Sequence, residues 1–317
     1  MGDGSPTPPA TFGGPGWTVR AATHGDDVQR GDWWAPCGVT TEWGRIRSVL
    51  LSWPSERFSV VGDADESLFL SWPDLNTLRR QCEETTRFFE EHGVRVHVHR
   101  SAEPPPMNYL FMRDLIFMCG DGAVLARPAS PVRAPEVRWA QAALAELGVP
   151  ILCTIAGEGT LEGADCLWIG GNTVLVGVGT RTNVQGAEQL RGVLSGRGVD
   201  VQTVSLPTGV QHLLGVFVML DSDLAMARGD CMSPEILSVL QGQGIDVLLF
   251  DEGEESGALR GMNGVTFGPR EVVIPTGCPG IEQQLRDAGV TVHSLDVGAY
   301  IQAAGALGCM TAILHRD

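Results

Sequence analysis

Five stretches of the chain repeat one pattern of apolar and polar positions. An amphipathic, helix-like segment ends at a glycine, and a short alternating run that begins with Val or Ile follows. The stretches read EHGVRVHVH, ELGVPILCT, GRGVDVQTV, GQGIDVLLF and DAGVTVHSL, with the glycines at Gly93, Gly148, Gly198, Gly244 and Gly289. Because glycine readily adopts the left-handed conformation that ends a helix, the pattern predicts five helix-to-strand junctions.

Pairs of short apolar runs precede these helix-like segments and complete a repeating unit. Examples are LIFMCGDGAVLARP, CLWIGGNTVLVGVG and GVTFGPREVVIP, whose central GDG, GGN and GPR are typical of hairpin turns. Each unit is therefore predicted to be strand–strand–helix–strand, and the first is predicted to open with RIRSVLLSW. The glycines are 55, 50, 46 and 45 residues apart, a spacing typical of repeat architectures.

The repeat favours a closed ring. One such unit cannot bury its apolar face alone, and a ring leaves no open sheet edge. We therefore predict an α/β fold, a five-bladed α/β propeller that forms a single catalytic domain over residues 33–317. An ordinary open α/β sheet is the alternative. Residues 1–32 begin with the glycine- and proline-rich MGDGSPTPPATFGGPG, and we predict a flexible N-terminal segment there.

Composition narrows the range of partners. The 317 residues carry a net charge of −16 and no block of lysine and arginine, which disfavours nucleic acid and anionic membranes and favours a small cationic substrate. The eight cysteines contain no CxxC pair, as is typical of reduced thiols in a cytoplasmic protein. Neither a signal peptide nor an apolar run of spanning length is evident. Composition does not determine the oligomeric state, and a homo-oligomer is one of the alternatives.

The connections that follow the predicted third strands carry reactive side chains. Asp114, Glu162, His212 and Cys309 lie 21, 14, 14 and 20 residues beyond the glycine of their own unit. A ring would bring these connections together on one face near its axis. Together they provide a thiol nucleophile, an acid/base and carboxylates that bind a cation.

The motifs MRD, EGAD, HLLG and GALGCMT resemble those of the guanidino-group-modifying superfamily, also called penteins. This superfamily includes arginine deiminases, dimethylarginine dimethylaminohydrolases and amidinotransferases. The resemblance runs from about Ile46 to the C-terminus and keeps the order Asp, Glu, His, Cys. It implies the five-bladed α/β propeller, with neither a cofactor nor a metal.

The resemblance also implies roles for the reactive residues. Cys309 is the expected nucleophile, and His212 the expected acid and base. Asp114 is expected to hold the substrate guanidinium, Glu162 to orient His212, and Asp165 to fix the loop around the site. The alternatives are a buried structural thiol for Cys309, a packed core residue for His212, and solvated loop acids for the carboxylates.

Five further residues complete the predicted site. Arg133 and Arg181 are expected to bind a substrate carboxylate, while Asn108 and Asn263 are expected to supply polar contacts. Leu214 stands where arginine deiminases and amidinotransferases usually carry an aspartate. Such an apolar wall suits an N-substituted guanidine, because an unsubstituted N–H would be stranded against it. A second motif points away from an N-substituted guanidine, because MRD, with an arginine before the aspartate, resembles the corresponding motif of the deiminases and amidinotransferases.

We therefore expect a cysteine-dependent hydrolase that acts on C–N bonds of a guanidino compound through a covalent thiouronium intermediate. Arginine or an N-substituted arginine would give citrulline or a similar ureido product. The first alternative is an amidinotransferase, in which an amine takes the place of water. The second is a non-catalytic binding protein on the same fold, and a thiol amidase with other substrates is less favoured.

Overall fold

The computed structural model describes residues 7–317, and within them the chain forms five three-stranded sheets. The strands are short and, in most of the sheets, strongly apolar. They are β1 (Ile46–Ser52), β2 (Arg95–His99), β3 (Ile116–Cys119), β4 (Gly122–Leu125), β5 (Ile151–Thr154), β6 (Cys166–Gly170), β7 (Thr173–Val178), β8 (Asp200–Ser205), β9 (Phe217–Asp221), β10 (Leu224–Arg228), β11 (Asp246–Phe250), β12 (Val265–Gly268), β13 (Glu271–Pro275), β14 (Thr291–Leu295) and β15 (Ala312–Arg316).

All five sheets share one topology. Their strand orders are β15-β1-β2, β3-β4-β5, β6-β7-β8, β9-β10-β11 and β12-β13-β14. In each sheet the first pair is antiparallel and the second pair is parallel. First strands of different sheets also contact each other, as β15 does with β3 and β9 with β12. This arrangement confirms the predicted α/β class and its five repeated units.

The helices confirm the predicted junctions. They are α1 (His24–Arg30), α2 (Leu75–Glu91), α3 (Met112–Leu115), α4 (Val137–Leu147), α5 (Val184–Ser195), α6 (Pro234–Gly242), α7 (Pro279–Asp287), α8 (Gly298–Gln302) and α9 (Leu307–Met310). The second and third strands of the five sheets are joined by α2, α4, α5, α6 and α7. The glycine after each of these helices has a φ between 71° and 79°. Left-handed backbone at five equivalent places explains why glycine recurs there.

The core lies between these five helices and their sheets. Each of these helices has at least one leucine with no exposed surface, as at Leu78, Leu144, Leu190, Leu240 and Leu285. Burying a leucine side chain contributes about 1.5–3 kcal/mol of stability, so the apolar helix face stabilises each of the five units. Among the helices in residues 7–317, none combines the length and the apolar character that crossing a bilayer requires.

The first unit differs from the prediction. The segment RIRSVLLSW contains β1, but β1 is the central strand of its sheet rather than the first. The first strand is β15, which pairs antiparallel with β1 so that Ile46 faces Arg316 and Leu50 faces Ala312. The C-terminal strand thus closes the ring. A repeat read along the chain could not show this, because the pairing joins the two ends of the sequence.

The N-terminal prediction needs a correction. Residues 1–6 lie outside the described residues, but residues 24–30, within the segment predicted to be flexible, form α1. Thr23 and Asp26 form a capping box at its start, and Val28 is buried. His24 Nε2 lies 2.9 Å from the carbonyl oxygen of Asp121. Glycine and proline are concentrated in residues 1–16, so the composition that favours a flexible segment does not extend to α1.

Candidate active site

Polar or reactive side chains from the connections of all five units meet at one place. Asp114 lies in α3, Glu162 and His212 each precede a short 3₁₀ turn (Gly163–Asp165 and Leu213–Gly215), and Cys309 lies in α9. The fourth connection contributes Asn263, just before β12. All five side chains are buried. The prediction that the ring brings the connections together is thus realised in the structure.

Close backbone approach explains the glycine beside the nucleophile. A Cβ on Gly308 would lie 3.0 Å from Asn263 Oδ1 and 3.1 Å from a methyl carbon of Leu214. Gly163, next to Glu162, is tighter still, because a Cβ there would lie 2.4 Å from the carbonyl oxygen of Arg113. These two glycines let the connections pack against each other around the site.

His212 and Glu162 form a buried hydrogen-bonded pair. His212 Nε2 lies 2.7 Å from Glu162 Oε2, and its Nδ1 lies 3.8 Å from Asp114 Oδ1. Burial would lower the pKa of His212, but Asp114, Asp165 and Glu162 together raise it to about 9. Burial would likewise raise the pKa of Glu162, but His212 and two arginines lower it to about 2. The pair is therefore an imidazolium beside a carboxylate at neutral pH.

Asp165 holds two loops of the site together. Its Oδ2 accepts a hydrogen bond of 2.6 Å from the Thr182 hydroxyl, and its Oδ1 accepts one of 3.0 Å from the backbone N–H of Leu213. Burial raises the pKa of Asp165 to about 7, against the opposing effect of His212. Since Leu213 follows His212 directly, Asp165 positions the imidazole through the backbone, as expected of a loop-fixing residue.

Arg133 lies in a different setting from the one predicted. It is fully buried, and its guanidinium contacts Asp114 Oδ2 at 2.5 Å, Glu136 Oε2 at 2.8 Å and Glu162 Oε2 at 3.4 Å. Burial opposes its charge, but these carboxylates raise the pKa of Arg133. With its donors engaged inside the protein, Arg133 does not face a substrate carboxylate. Its role in this structure is to neutralise the carboxylates.

Arg181 and Asn108, which were also predicted to bind substrate, contact other residues of the protein. Arg181 Nη1 lies 3.3 Å from Glu162 Oε1 and keeps a small exposed fraction. Asn108 is buried, and its Nδ2 donates a 2.8 Å hydrogen bond to the carbonyl oxygen of Ser67. Ser67 belongs to the loop between β1 and α2, so Asn108 anchors that loop. Its side chain is not among those that line the cavity at Cys309.

Cys309 is held by Asn263. The side-chain amide of Asn263 donates to Cys309 Sγ at 3.1 Å, and Asn263 Oδ1 accepts from the Cys309 backbone N–H at 3.2 Å. Burial raises the pKa of the Cys309 thiol, Asp114 adds to that effect, and Asn263 and Arg260 oppose it. The free thiol is therefore mostly protonated near neutral pH, and a bound cation would favour the thiolate.

A cavity of about 180 Å³ opens onto the nucleophile. Its wall includes Cys309, His212, Leu214, Asn263, Arg228 and Arg260. Leu214 provides the predicted apolar wall. Arg228 and Arg260 were not among the residues predicted to form the site. Arg260 lies in GALRGMNG, the fourth of the equivalent connections, and that position is the signal by which the sequence could have indicated it.

The spacing of Asp114, Glu162 and His212 would also suit a metal ion, because one ligand atom from each lies within 4.8 Å of the others. The surrounding charges fit a different arrangement. His212 Nε2 is bonded to Glu162, and Arg133 contacts both carboxylates with a permanent positive charge. These residues form an ion-pair network in which the arginine and the histidine compensate the charges of the two carboxylates.

Comparison with known proteins agrees with this geometry. The family model described as arginine deiminase matches residues 74–243, just over half of the chain. The chain belongs to this family. Within the same superfamily, the penteins, the dimethylarginine dimethylaminohydrolase of Streptomyces coelicolor is 27% identical over 212 residues, which cover 65% of this chain and 74% of that protein.

Solved structures of other penteins share the fold of this arginine deiminase family member. The Pseudomonas aeruginosa dimethylarginine dimethylaminohydrolase, a cysteine-to-serine mutant complexed with citrulline, has a TM-score of 0.71 at 19% identity, covering 86% of this chain and all of that one. The amidinotransferase SxtG of Microseira wollei has a TM-score of 0.74 at 15% identity, covering 89% and 98%. At these identities the likeness supports the pentein fold alone.

Proposed function

We propose that the protein is a cysteine-dependent hydrolase that cleaves a C–N bond of a guanidino compound and releases a ureido product. The family and the site both support guanidine chemistry, and the proposal adds the reaction and the acceptor. The free state of all eight cysteines, which all lie within the described residues, supports a reducing, cytoplasmic location. The reaction uses side chains and water alone.

One observation carries the proposal. Asp114 Oδ1 is a buried carboxylate oxygen with no hydrogen-bond partner among the described residues, and it lies 3.8 Å from His212 Nδ1. Leaving such an acceptor unsatisfied costs about 1–3 kcal/mol, more for a charged group. A substrate guanidinium N–H would satisfy that oxygen and would bring a positive charge near the Cys309 thiol.

The first half of the reaction forms a covalent intermediate. The bound guanidinium favours the Cys309 thiolate, and the thiol proton is released to solvent. The thiolate sulfur then attacks the guanidino carbon and forms a C–S bond. His212, which is protonated below about pH 9, donates its proton to the departing nitrogen as the C–N bond breaks. The terminal nitrogen leaves as an amine or ammonia, and the amidino group that remains on the sulfur as a thiouronium still carries the substituent of the future ureido product.

The second half returns the enzyme to its starting state. The neutral His212 accepts a proton from a water molecule, which attacks the thiouronium carbon. The C–S bond then breaks, the ureido product leaves and the Cys309 thiolate forms again. Glu162, at 2.7 Å, stabilises the imidazolium each time it forms and keeps the ring in one orientation.

Leu214 favours a substituted guanidine as substrate. It lines the cavity beside Cys309 and offers no acceptor for an N–H, whereas an N-alkyl group would pack against it. An N-substituted arginine therefore fits better than arginine itself, and citrulline or a similar ureido compound would be the product. Amine in place of water would make the same residues an amidinotransferase.

The test is a small panel of guanidines: arginine, its methylated forms and simple alkyl guanidines, with and without glycine or ornithine as acceptor. Mass spectrometry records the products. We expect a ureido product without added amine, and its loss in Cys309→Ser. Cys153→Ser, which changes a half-buried thiol on the outer strand β5, is the matched control and should retain activity.

Two outcomes would contradict the proposal. Turnover only in the presence of an amine would make the protein an amidinotransferase. Absence of product and of any Cys309 adduct with every guanidine in the panel would exclude this chemistry for these substrates.

A further inference from the structure

A second cavity lies between the first strands of four sheets. Its volume is about 30 Å³, which is room for roughly one or two particles the size of a water molecule. Among the described residues, Leu214 alone lines both this cavity and the one at Cys309. The rest of its apolar lining includes Leu167, Val218, Val265 and Ile313, from β6, β9, β12 and β15. Three charged side chains also line it: Glu42, Arg113 and Arg316.

The charges that line this second cavity do not balance. Arg113 Nη2 lies 2.8 Å from Glu42 Oε1, and Glu42 is the only carboxylate among the described residues of the wall. Arg316 instead donates from Nη1 to the carbonyl oxygens of Gly44 and Thr266, at 2.5 and 2.8 Å. Those oxygens are neutral. The three charged side chains therefore leave one positive charge in excess.

The neighbouring carboxylate does not compensate this excess. Asp114 follows Arg113 in the chain, but its Oδ2 already contacts Arg133 at 2.5 Å. Burial lowers the pKa of Arg316 to about 10, Glu42 opposes that effect and Arg113 adds to it. An uncompensated charge inside a protein is costly, so the second cavity favours a ligand of negative charge.

Both arginines also have donors without an acceptor. The Nε atoms of Arg113 and Arg316 are buried and lack a hydrogen-bond partner among the described residues. Within residues 7–317, Arg113 Nη1 and Arg316 Nη2 make no hydrogen bond either. Both residues are more than nine-tenths buried, with 8% and 7% of their surface exposed. Water satisfies such donors without neutralising the charge, whereas an anion does both through charge-assisted hydrogen bonds.

We propose that the second cavity binds one small monovalent inorganic anion, a halide of the size of chloride, between Arg113 and Arg316. The volume of about 30 Å³ selects a single atom of this kind and excludes organic carboxylates. The halide compensates the excess positive charge and accepts hydrogen bonds from the unpartnered donors. The inference is independent of the proposed function, because it concerns the folded state rather than the reaction.

The three charged residues come from parts of the chain that are far apart in sequence. Glu42 precedes β1, Arg113 lies in α3, and Arg316 lies in β15, the strand that closes the ring. A halide between the two arginines therefore joins the closing strand to the helix that carries Asp114. Because the unfolded chain cannot form this site, halide binding shifts the unfolding equilibrium toward the folded state.

The first experiment measures whether a halide stabilises the protein. Thermal unfolding of the full chain is followed at constant ionic strength while sodium gluconate is replaced stepwise by sodium chloride, and in a parallel series by sodium bromide. Gluconate carries the same charge but is far too large for a cavity of about 30 Å³. We expect the Tm to rise by about 1–3 °C at about 200 mM halide, with the logarithmic concentration dependence of binding to the folded state.

Two variants change the charge of the second cavity in opposite directions. Arg316→Gln removes the excess positive charge and should abolish the halide-dependent rise in Tm. Glu42→Gln removes the carboxylate of the wall, so the halide concentration that gives the same rise should fall about tenfold. A general salt effect does not predict this inversion. Arg286→Gln, at a surface pair with Glu282, is the matched control and should keep the wild-type rise.

A second measurement locates the ion. Crystals of the wild-type protein are soaked in sodium bromide, because bromine scatters X-rays anomalously, and we expect an anomalous peak between Arg113 and Arg316. This measurement and the wild-type titration need no substitution. They therefore decide the question even where a variant fails to fold.

Four results would overturn the inference. An equal Tm of the wild type in gluconate, chloride and bromide would mean that water alone fills the second cavity. Equal halide effects in the wild type, Arg316→Gln and Glu42→Gln would assign the effect to the protein surface. A smaller effect in Glu42→Gln than in the wild type would contradict the charge argument. Bromide at exposed arginines, with none in the cavity, would mark an adventitious ion only.

Discussion

The two sides of the site are organised in opposite ways. On the carboxylate side, which comprises Asp114, Glu162, Asp165, His212 and Arg133, nearly every polar atom has a partner inside the protein. On the thiol side, which comprises Cys309, Asn263 and Arg260, one pair of hydrogen bonds holds the nucleophile and Arg260 has no partner among the described residues.

The difference indicates which parts of the reaction are prepared in advance. The charge and orientation of His212 are fixed before substrate arrives, because its ion-pair partners are built into the fold. The thiol is not yet activated, because burial and Asp114 both raise its pKa. The carboxylate side therefore contributes to stability as well as to catalysis, whereas the thiol side should contribute mainly to catalysis. Four predictions test this distinction, from the largest expected effect to the smallest.

Replacing Arg133 should affect stability most. Arg133→Met would leave the carboxylates of Asp114, Glu136 and Glu162 without their shared cation, and uncompensated buried charge costs about 3–5 kcal/mol. Urea unfolding should show a loss of that size. Arg138→Met is the control: that arginine pairs with Glu103 at the surface, and we expect a change within about 0.5 kcal/mol. Similar losses in both variants would contradict a special role for the buried network.

The second prediction concerns the pKa of His212. Its folded-state value of about 9 lies above the ordinary 6.5, so the resulting stabilisation is fully present below pH 6.5 and is lost as the pH rises through 9. Glu162→Gln removes a charge that raises this pKa, and we expect the value to fall by roughly one to two units, which equals about 1.4–2.7 kcal/mol. An NMR titration of the imidazoles measures it directly.

His99 provides an internal control in the same titration. Burial lowers the pKa of His99, and its acidic neighbour Glu146 is unchanged in the variant. Its midpoint should therefore stay in place. If the His212 midpoint also stays in place, Glu162 does not stabilise the imidazolium, and the proposed acid/base role loses its electrostatic basis.

The third prediction concerns the link between two loops. Thr182→Val removes the hydroxyl that donates to Asp165 at 2.6 Å and accepts from the backbone N–H of Glu162 at 3.0 Å. We expect a loss of roughly 1–2 kcal/mol in thermal or urea unfolding. Thr86→Val, which removes a bond to a carbonyl within α2, is the control and should cost less. Equal effects would mean that the loops do not depend on this hydroxyl.

The smallest expected effect is on the thiol side. Asn263→Ala removes the amide that donates to Cys309 Sγ, so the thiol pKa should rise further and alkylation by iodoacetamide at pH 8 should slow roughly three- to tenfold. Peptide mass spectrometry distinguishes Cys309 from the other cysteines. Asn108→Ala, whose amide binds the carbonyl oxygen of Ser67, should leave the rate unchanged. Faster alkylation in Asn263→Ala would contradict the assigned role.

The sequence predicted those features that depend on the identity of residues close together in the chain or on the repeat. The five glycines predicted the helix-to-strand junctions, because a left-handed residue constrains its own identity. The repeat also predicted that the connections of Asp114, Glu162, His212 and Cys309 would converge. The sequence could not show that β15 is the first strand of the first sheet, since that pairing depends on closure of the ring.

The roles of arginines were hardest to predict. Arg133 carries no sign in its neighbourhood that its long side chain turns inward to meet Asp114 and Glu162, which come from other connections. Arg260 lies in a connection without a known motif. Its left-handed backbone, and the lack of a partner for its guanidinium among the described residues, are seen only in the structure. Both properties depend on three-dimensional packing rather than on local sequence.

Covalent catalysis at Cys309 is the central step of the proposed reaction, and one measurement tests it directly. The enzyme is mixed with a guanidine labelled with ¹³C at the guanidino carbon, quenched with acid during turnover and digested. We predict that the label is found on the peptide containing Cys309, at a level that disappears as the substrate is consumed. Ureido product that forms at the normal rate with no label on Cys309 at any time, or that still forms in Cys309→Ser, would contradict covalent catalysis at Cys309.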